Sequence, residues 1–263
     1  MKILLTGANG FVGNKIRTTL ESVIEAPSLR EMTREKTERM IEESEADVII
    51  HTAAISDTLT CQKNPEISYQ ANVMLPTWIA KAAHGKKVIC FSSDQVYSDS
   101  EAEGPYLESD EKTSTVYGGH KLEMEQQVLD ALPSAVILRA EWMYDYIAPR
   151  GNYLLNLLKA EEAVAFSSKQ YRGITYLGEV ADNIKKVIEL PGGVYNFGSE
   201  TNQSMMEITQ KTLELLGRKI DVQDAPPRHN LWMNCSKAAK EGIVFLDVMA
   251  GIKKCLKDYR LIS

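Results

Sequence analysis

The stretch KILLTGANGFVG, residues 2–13, decides the fold. Its first half is a short apolar run. Its second half sets Gly7, Gly10 and Gly13 three residues apart, ahead of an amphipathic segment, NKIRTTLESV. A strand that runs through a glycine turn into a helix aims backbone N–H groups at one point, and the missing side chains let a pyrophosphate come close. Gly7, Asn9, Gly10, Phe11, Val12 and Gly13 are therefore the expected phosphate cradle for a nucleotide. An ordinary tight strand-to-helix turn could use the same glycines, so the rest of the chain has to decide.

Apolar, β-rich runs recur at DVIIHTAA (47–54), KVICFSSD (87–94) and AVILRA (135–140), with helical patterns between them. Strands that are apolar almost throughout are buried on both faces, which implies a parallel sheet covered by helices. The alternation predicts an α/β fold with a doubly wound parallel Rossmann sheet. Its second strand is best placed at SVIEA (22–26). After Asp145 the pattern changes to helix (YLLNLLKAEEA), a short YRGITYLG, helix (EVADNIKKVIEL), a strand-like GVYNFGS, helix (SMMEITQKTLELLG) and a last helix near FLDVMAGIKKCLKDY. Residues 1–145 are thus expected to form the dinucleotide-binding domain. Residues 146–263 are expected to form a smaller substrate-binding region, some of whose elements return to the main sheet.

Composition narrows the function classes. The 263 residues are 44% hydrophobic and carry a net charge of -6, which supplies a core and no basic field for nucleic acid. No run approaches the ~20 apolar residues of a membrane span, and glycine arrives too early for a secretory signal, so a cytoplasmic location is expected. Cys61, Cys90, Cys235 and Cys255 are scattered without metal-ligand spacing. The acidic run ESDE (108–111) is expected to be a solvated loop, and no metal is expected.

VYGGHK (116–121) places Tyr117 four positions before Lys121. On a helix both would share one face, and an ammonium beside a phenol is expected to favour the phenolate. Such a pair also arises by chance on many helices.

Taken together, TGANGFVG, HTAA (51–54), FSSDQVY (91–97) and YGGHK (117–121) resemble the extended short-chain dehydrogenase/reductase family in order and spacing. Within it the chain is most similar to the dTDP-4-dehydrorhamnose reductase group of nucleotide-sugar reductases. AAISD (53–57), YQANV, RAEWMYD (139–145), RGITYLGEVADNI (172–184) and PRHNLWMN (227–234) extend the likeness over nearly the whole chain. The resemblance implies catalysis by Ser93, Tyr117 and Lys121, with the tyrosine as general acid and the lysine on the nicotinamide ribose. It adds Thr52, Ala53, Ala54, Asn72 and Ser92 to the cofactor contacts. Ser93, Asp94, Trp142, Asn152, Arg172 and Arg228 fall on the substrate side.

The implied reaction is NAD(P)H-dependent reduction of the keto group of a nucleotide-linked deoxysugar. Gln95 stands where related dehydratases carry a glutamate base, which disfavours water elimination. An epimerase, or a non-catalytic dinucleotide-sensing subunit, is the alternative on the same fold. At the end of the second strand Glu25 would suit NAD, whereas the following Arg30 and Arg34 would suit the 2′-phosphate of NADP. The reading leans to NADP, with Arg30 as the contact. A homodimer is compatible with the resemblance, although no acidic set for a metal-bridged dimer is present.

Overall fold

The computed structural model describes residues 1–262. Ten strands are present in chain order: β1 (Ile3–Thr6), β2 (Val23–Glu25), β3 (Val48–His51), β4 (Lys87–Ser93), β5 (Val136–Ala140), β6 (Trp142–Tyr144), β7 (Val164–Phe166), β8 (Ile174–Tyr176), β9 (Gly193–Phe197) and β10 (Val222–Asp224). The helices are α1 (Phe11–Thr19), α2 (Arg34–Ser44), α3 (Thr58–Lys63), α4 (Pro65–Tyr69), α5 (Leu75–Ala82), α6 (Val116–Ala131), α7 (Tyr153–Lys159), α8 (Leu177–Val187), α9 (Met205–Leu215), α10 (Ser236–Lys240) and α11 (Val248–Asp258). Six strands pair in the order β2-β1-β3-β4-β5-β9, all parallel. This is the doubly wound sheet that the apolar runs predicted.

Strand alternation explains why those runs had to be apolar throughout. Leu5, Ile50, Ile89 and Leu138 point to one helix layer, where Ile16 of α1 and Val180 and Ile184 of α8 cover them. Leu4, Ile49, Val88, Cys90 and Ile137 point to the other, against Ile41 of α2, Ile79 of α5 and Met124 and Val128 of α6. A polar residue on either face would lose water without replacement. The first helix starts and ends earlier than its amphipathic pattern suggested, because Val23 is already in β2.

The later part of the chain divides its work. β9 pairs with β5 in the main sheet and α8 packs against it, although both lie beyond Asp145. A separate cluster joins Tyr144, Tyr153, Leu157, Ile174, Met205, Ile208 and Ile252, with two small parallel pairs, β6-β8 and β7-β10, beside it. β7 lies in a segment where the sequence pattern showed no strand. The α9 start is fixed by a capping box, in which Ser204 and Glu207 satisfy each other's backbone N–H groups. The turn after β1 packs directly on Thr52 and Ala53 after β3, at the C-terminal strand ends where open α/β sheets bind ligands.

Candidate active site

The glycine turn is built for close approach. Gly7 adopts φ +72°, and a β-carbon on it would lie 2.7 Å from the Ala53 nitrogen. A β-carbon on Gly13 would lie 2.1 Å from the Gly7 carbonyl oxygen. Only glycine permits this contact between turn and helix. Asn14 donates the first bond within the helix, to the Gly10 carbonyl at 2.9 Å, and no side chain caps the end. The N–H groups of Phe11, Val12 and Gly13 are therefore free to face an anion, with the positive end of the helix dipole behind them. Thr52 donates to the Thr6 carbonyl at 2.7 Å, which holds the HTAA segment against the turn. The cradle fits a dinucleotide pyrophosphate.

Helix α6 answers why Tyr117 begins in a glycine run. Thr115 caps the helix through the Gly118 N–H at 3.1 Å, so Tyr117 sits in its first turn. A β-carbon on Gly118 would lie 2.4 Å from Thr113 Oγ1 and 2.6 Å from the Gln95 carbonyl, and glycine lets the helix start touch the turn after β4. Gly119 faces open space and has no such reason to be glycine. Tyr117, Lys121 and Glu125 then follow at intervals of four on the buried face.

Ser93, Tyr117 and Lys121 are all buried, at 7%, 6% and 3% exposure. Burial raises the Tyr117 pKa and the Asp94 carboxylate adds to the rise, which outweighs the easing effect of the neighbouring Ser93 hydroxyl; that hydroxyl itself donates to Asp94 at 3.2 Å. This corrects the expectation that Lys121 lowers it. The Lys121 ammonium lies 5.8 Å from the ring centroid and donates to the Phe91 carbonyl at 2.8 Å. Burial brings its own pKa down to about 8. The physical reason is that desolvation acts on both groups, and the two charged forms do not touch.

Other expected site residues are brought near but are already occupied. Ser92 points to the other face of β4 from Ser93 and donates to Glu125 at 2.5 Å, so its hydroxyl is not offered to a cofactor. Asn72 lies in a π-helical turn, Gln70–Met74, and its amide clasps the Ile55 N–H and carbonyl at 3.0 and 2.9 Å. It shapes the HTAAIS loop from behind. Asn152 caps α7 through the Leu155 N–H and donates one amide hydrogen to the Asp145 carbonyl, which fixes its side chain at the start of that helix and leaves one N–H uncommitted. Arg30 and Arg228 are exposed.

Asp94, Arg172 and Trp142 form one unit. Arg172 pairs with Asp94 at 2.5 Å, both nearly inaccessible, and its guanidinium lies 3.9 Å from the centre of the Trp142 ring. Trp142 is 48% exposed, so it presents indole surface beside the strand ends. Arg172 thus joins Asp94 to the tryptophan through Nη2 and its stacked plane, while its Nε has no hydrogen-bond partner among the described residues.

Two groups that the sequence reading did not select complete the surroundings. Glu141 is buried and accepts from Thr175 Oγ1 at 2.5 Å and the Ser199 N–H at 2.8 Å. Burial pushes its pKa up to about 8. Behind α6, Arg139 grips Glu125 with bonds of 2.7–3.2 Å and donates to the Tyr97 hydroxyl at 2.8 Å. This network anchors the helix that carries Tyr117. Its signal was present: an arginine inside the apolar run AVILRA requires a buried partner. Glu108, in the segment expected to be solvated, accepts the Asn196 N–H at 2.9 Å.

A parallel six-stranded sheet, a glycine cradle and a Ser/Tyr/Lys set at adjoining strand ends define an NAD(P)-dependent oxidoreductase of the extended short-chain dehydrogenase/reductase class. The comparisons agree with this assignment. The chain belongs to the RmlD substrate binding domain family, whose model matches residues 1–246. It is 27% identical to a probable low-salt glycan biosynthesis reductase of Haloferax volcanii, over 82% of this chain and 81% of that one. It is 25% identical to a dTDP-4-dehydrorhamnose reductase of Mycolicibacterium smegmatis, over 82% of this chain and 69% of that one. Among solved structures, a dTDP-4-dehydrorhamnose reductase of Bacillus anthracis in complex with NADP superposes with TM-score 0.87 at 20% identity, covering 98% of this chain and 100% of that one.

Proposed function

We propose that the protein reduces the keto group of a nucleotide-linked deoxysugar, with Tyr117 as the proton donor. The observation that carries this reading is that Ser93 closes β4 while Lys121, one turn after Tyr117 on α6, bonds the Phe91 carbonyl of that same strand, which lies two strands from β1 and its glycine cradle. The cradle residues Gly7, Gly10, Phe11, Val12 and Gly13 would hold a nicotinamide dinucleotide, which supplies the hydride when bound.

The chain's own groups do the rest. Burial keeps the Tyr117 phenol protonated at neutral pH, which suits a group that gives its proton to a carbonyl oxygen as negative charge develops there. Ser93 offers a second hydroxyl to the same oxygen. Lys121, fixed to the Phe91 carbonyl, keeps a cation under the site and two further N–H donors for a ribose. Trp142 gives the sugar a flat apolar face, braced by Arg172.

The lean toward NADP gains support from Glu25, which is paired with Arg17 at 3.1 Å and so is partly neutralised, while Arg30 stands in the following loop. The relatives named as reductases favour reduction over epimerisation or a purely sensing role.

The test follows nicotinamide absorbance with a panel of 4-keto nucleotide sugars and both cofactors, in wild type and Tyr117→Phe. The variant is expected to lose about 10²–10⁴-fold in kcat while its cofactor affinity is retained. Equal rates in the two proteins would end the assignment of Tyr117. A homodimer in the cytoplasm is part of the same reading, and light scattering on the purified protein checks the dimer.

A further inference from the structure

Helix α11, which packs on α9 and β8, carries Gly251 beside Glu179 of α8, Tyr144 at the end of β6 and Ser199 just after β9. A β-carbon on Gly251 would find three oxygens as its nearest neighbours outside the helix: Glu179 Oε2 at 3.0 Å, the Tyr144 hydroxyl at 3.4 Å and Ser199 Oγ at 4.0 Å. All three oxygens are buried, and none has a hydrogen-bond partner among the described residues. Their residues are 6%, 0% and 2% exposed.

The remaining polar atoms nearby are accounted for. Glu179 Oε1 accepts the Leu246 N–H at 3.1 Å, and the Ser199 N–H is spent on Glu141 and Thr175. Three unpartnered side-chain oxygens from three separate elements therefore converge on one spot, and the residue facing them has no side chain. Buried polar atoms are almost always paired, with protein or with an ordered water that makes about three bonds. Two hydroxyls, which can give or take a proton, and one carboxylate oxygen match such a water. A calcium ion would require about 6–8 oxygens, and three side-chain oxygens fall well short.

We propose that Glu179, Tyr144, Ser199 and Gly251 form a built site for a single buried water molecule. The water joins the C-terminal helix α11 to β6, the strand that begins with Trp142, and to the Ser199 turn, whose N–H holds Glu141. Gly251 is glycine because a methyl group there would take the water's place.

Two measurements test this on the whole chain. In a crystal structure that shows ordered solvent, one peak is expected at roughly 2.7–3.2 Å from all three oxygens. A spot without density, or a peak at metal-ligand distances of about 2.0–2.6 Å, overturns the proposal.

In urea unfolding, Tyr144→Phe and Ser199→Ala are each expected to lower the midpoint. The double variant is expected to lose clearly less than the sum, because the first change already weakens the shared water. If these hydroxyls had no partner, removing either would relieve a buried unsatisfied group and raise the midpoint. A rise, or strict additivity, therefore counts against the site.

Discussion

Replacing Arg172 by leucine tests the most heavily buried ion pair near the proposed site. Arg172 and Asp94 have side chains only 4% and 3% exposed, and among the described residues their 2.5 Å contact is the one salt bridge that Asp94 makes. Removing one partner of a buried pair strands the other charge, which costs about 3–5 kcal/mol. Loss of the stack on half-exposed Trp142 adds only about 0.5–1 kcal/mol. The expected destabilisation at neutral pH is therefore about 3–5 kcal/mol, dominated by Asp94.

The pH dependence follows from the same pair. Burial already raises the Asp94 pKa, and Arg172 opposes that rise. Without Arg172 the folded-state pKa climbs further above the unfolded one. The folded protein then binds more protons than the unfolded chain, so stability increases as pH falls. The deficit of Arg172→Leu should shrink in mild acid, and adding Asp94→Asn should recover much of it at neutral pH. Urea unfolding of wild type, both single variants and the double variant reads all of this. Trp142 emission should also shift in Arg172→Leu, by comparison with Trp142→Phe. A loss below about 1 kcal/mol, the range of surface pairs, with no rescue by Asp94→Asn, would refute the reasoning.

Three further outcomes are expected. Gly13→Ala puts a methyl carbon 2.1 Å from the Gly7 carbonyl, and it should lose about 3 kcal/mol of stability together with dinucleotide binding, measured by denaturation and calorimetry. His51 is buried against Thr6 at 2.7 Å, with its pKa lowered from 6.5 to about 3 by burial and by the Lys121 charge. The unfolded chain takes up this proton first, so stability present above pH 6.5 falls toward pH 3, and His51→Asn should remove that part of the acid limb. Lys121 has a pKa lowered from 10.5 to about 8, so the unfolded chain holds the extra proton between these values and stability should rise with pH across that window. Lys121→Met should abolish the rise in pH-dependent unfolding, and an unchanged profile would contradict the burial of the ammonium.

Legibility followed the distance over which each feature is encoded. The glycine spacing, the doubly apolar strands and the Tyr117–Lys121 interval are local, because helix and strand periods repeat within a few residues. Resemblance to a known family carried the choice of Ser93 over Ser92, and the structure places the two hydroxyls on opposite faces of β4. What the sequence reading missed or misassigned depends on partners far along the chain. Asn152 reads from the sequence as a substrate-side residue, and only the structure shows that it also caps α7.

The chain by itself therefore determined the parallel sheet, the cradle and the face of α6 that carries the tyrosine and lysine. Only the tertiary structure decided that β9 completes the sheet and that Arg172 serves Asp94 and Trp142. It also decided that Arg139 and Glu125 hold α6 in place, and that burial raises the Tyr117 pKa. A side chain's charge and hydrogen-bonding capacity are written in its residue type. Which distant group uses that capacity, and how much water is left around it, is set by packing.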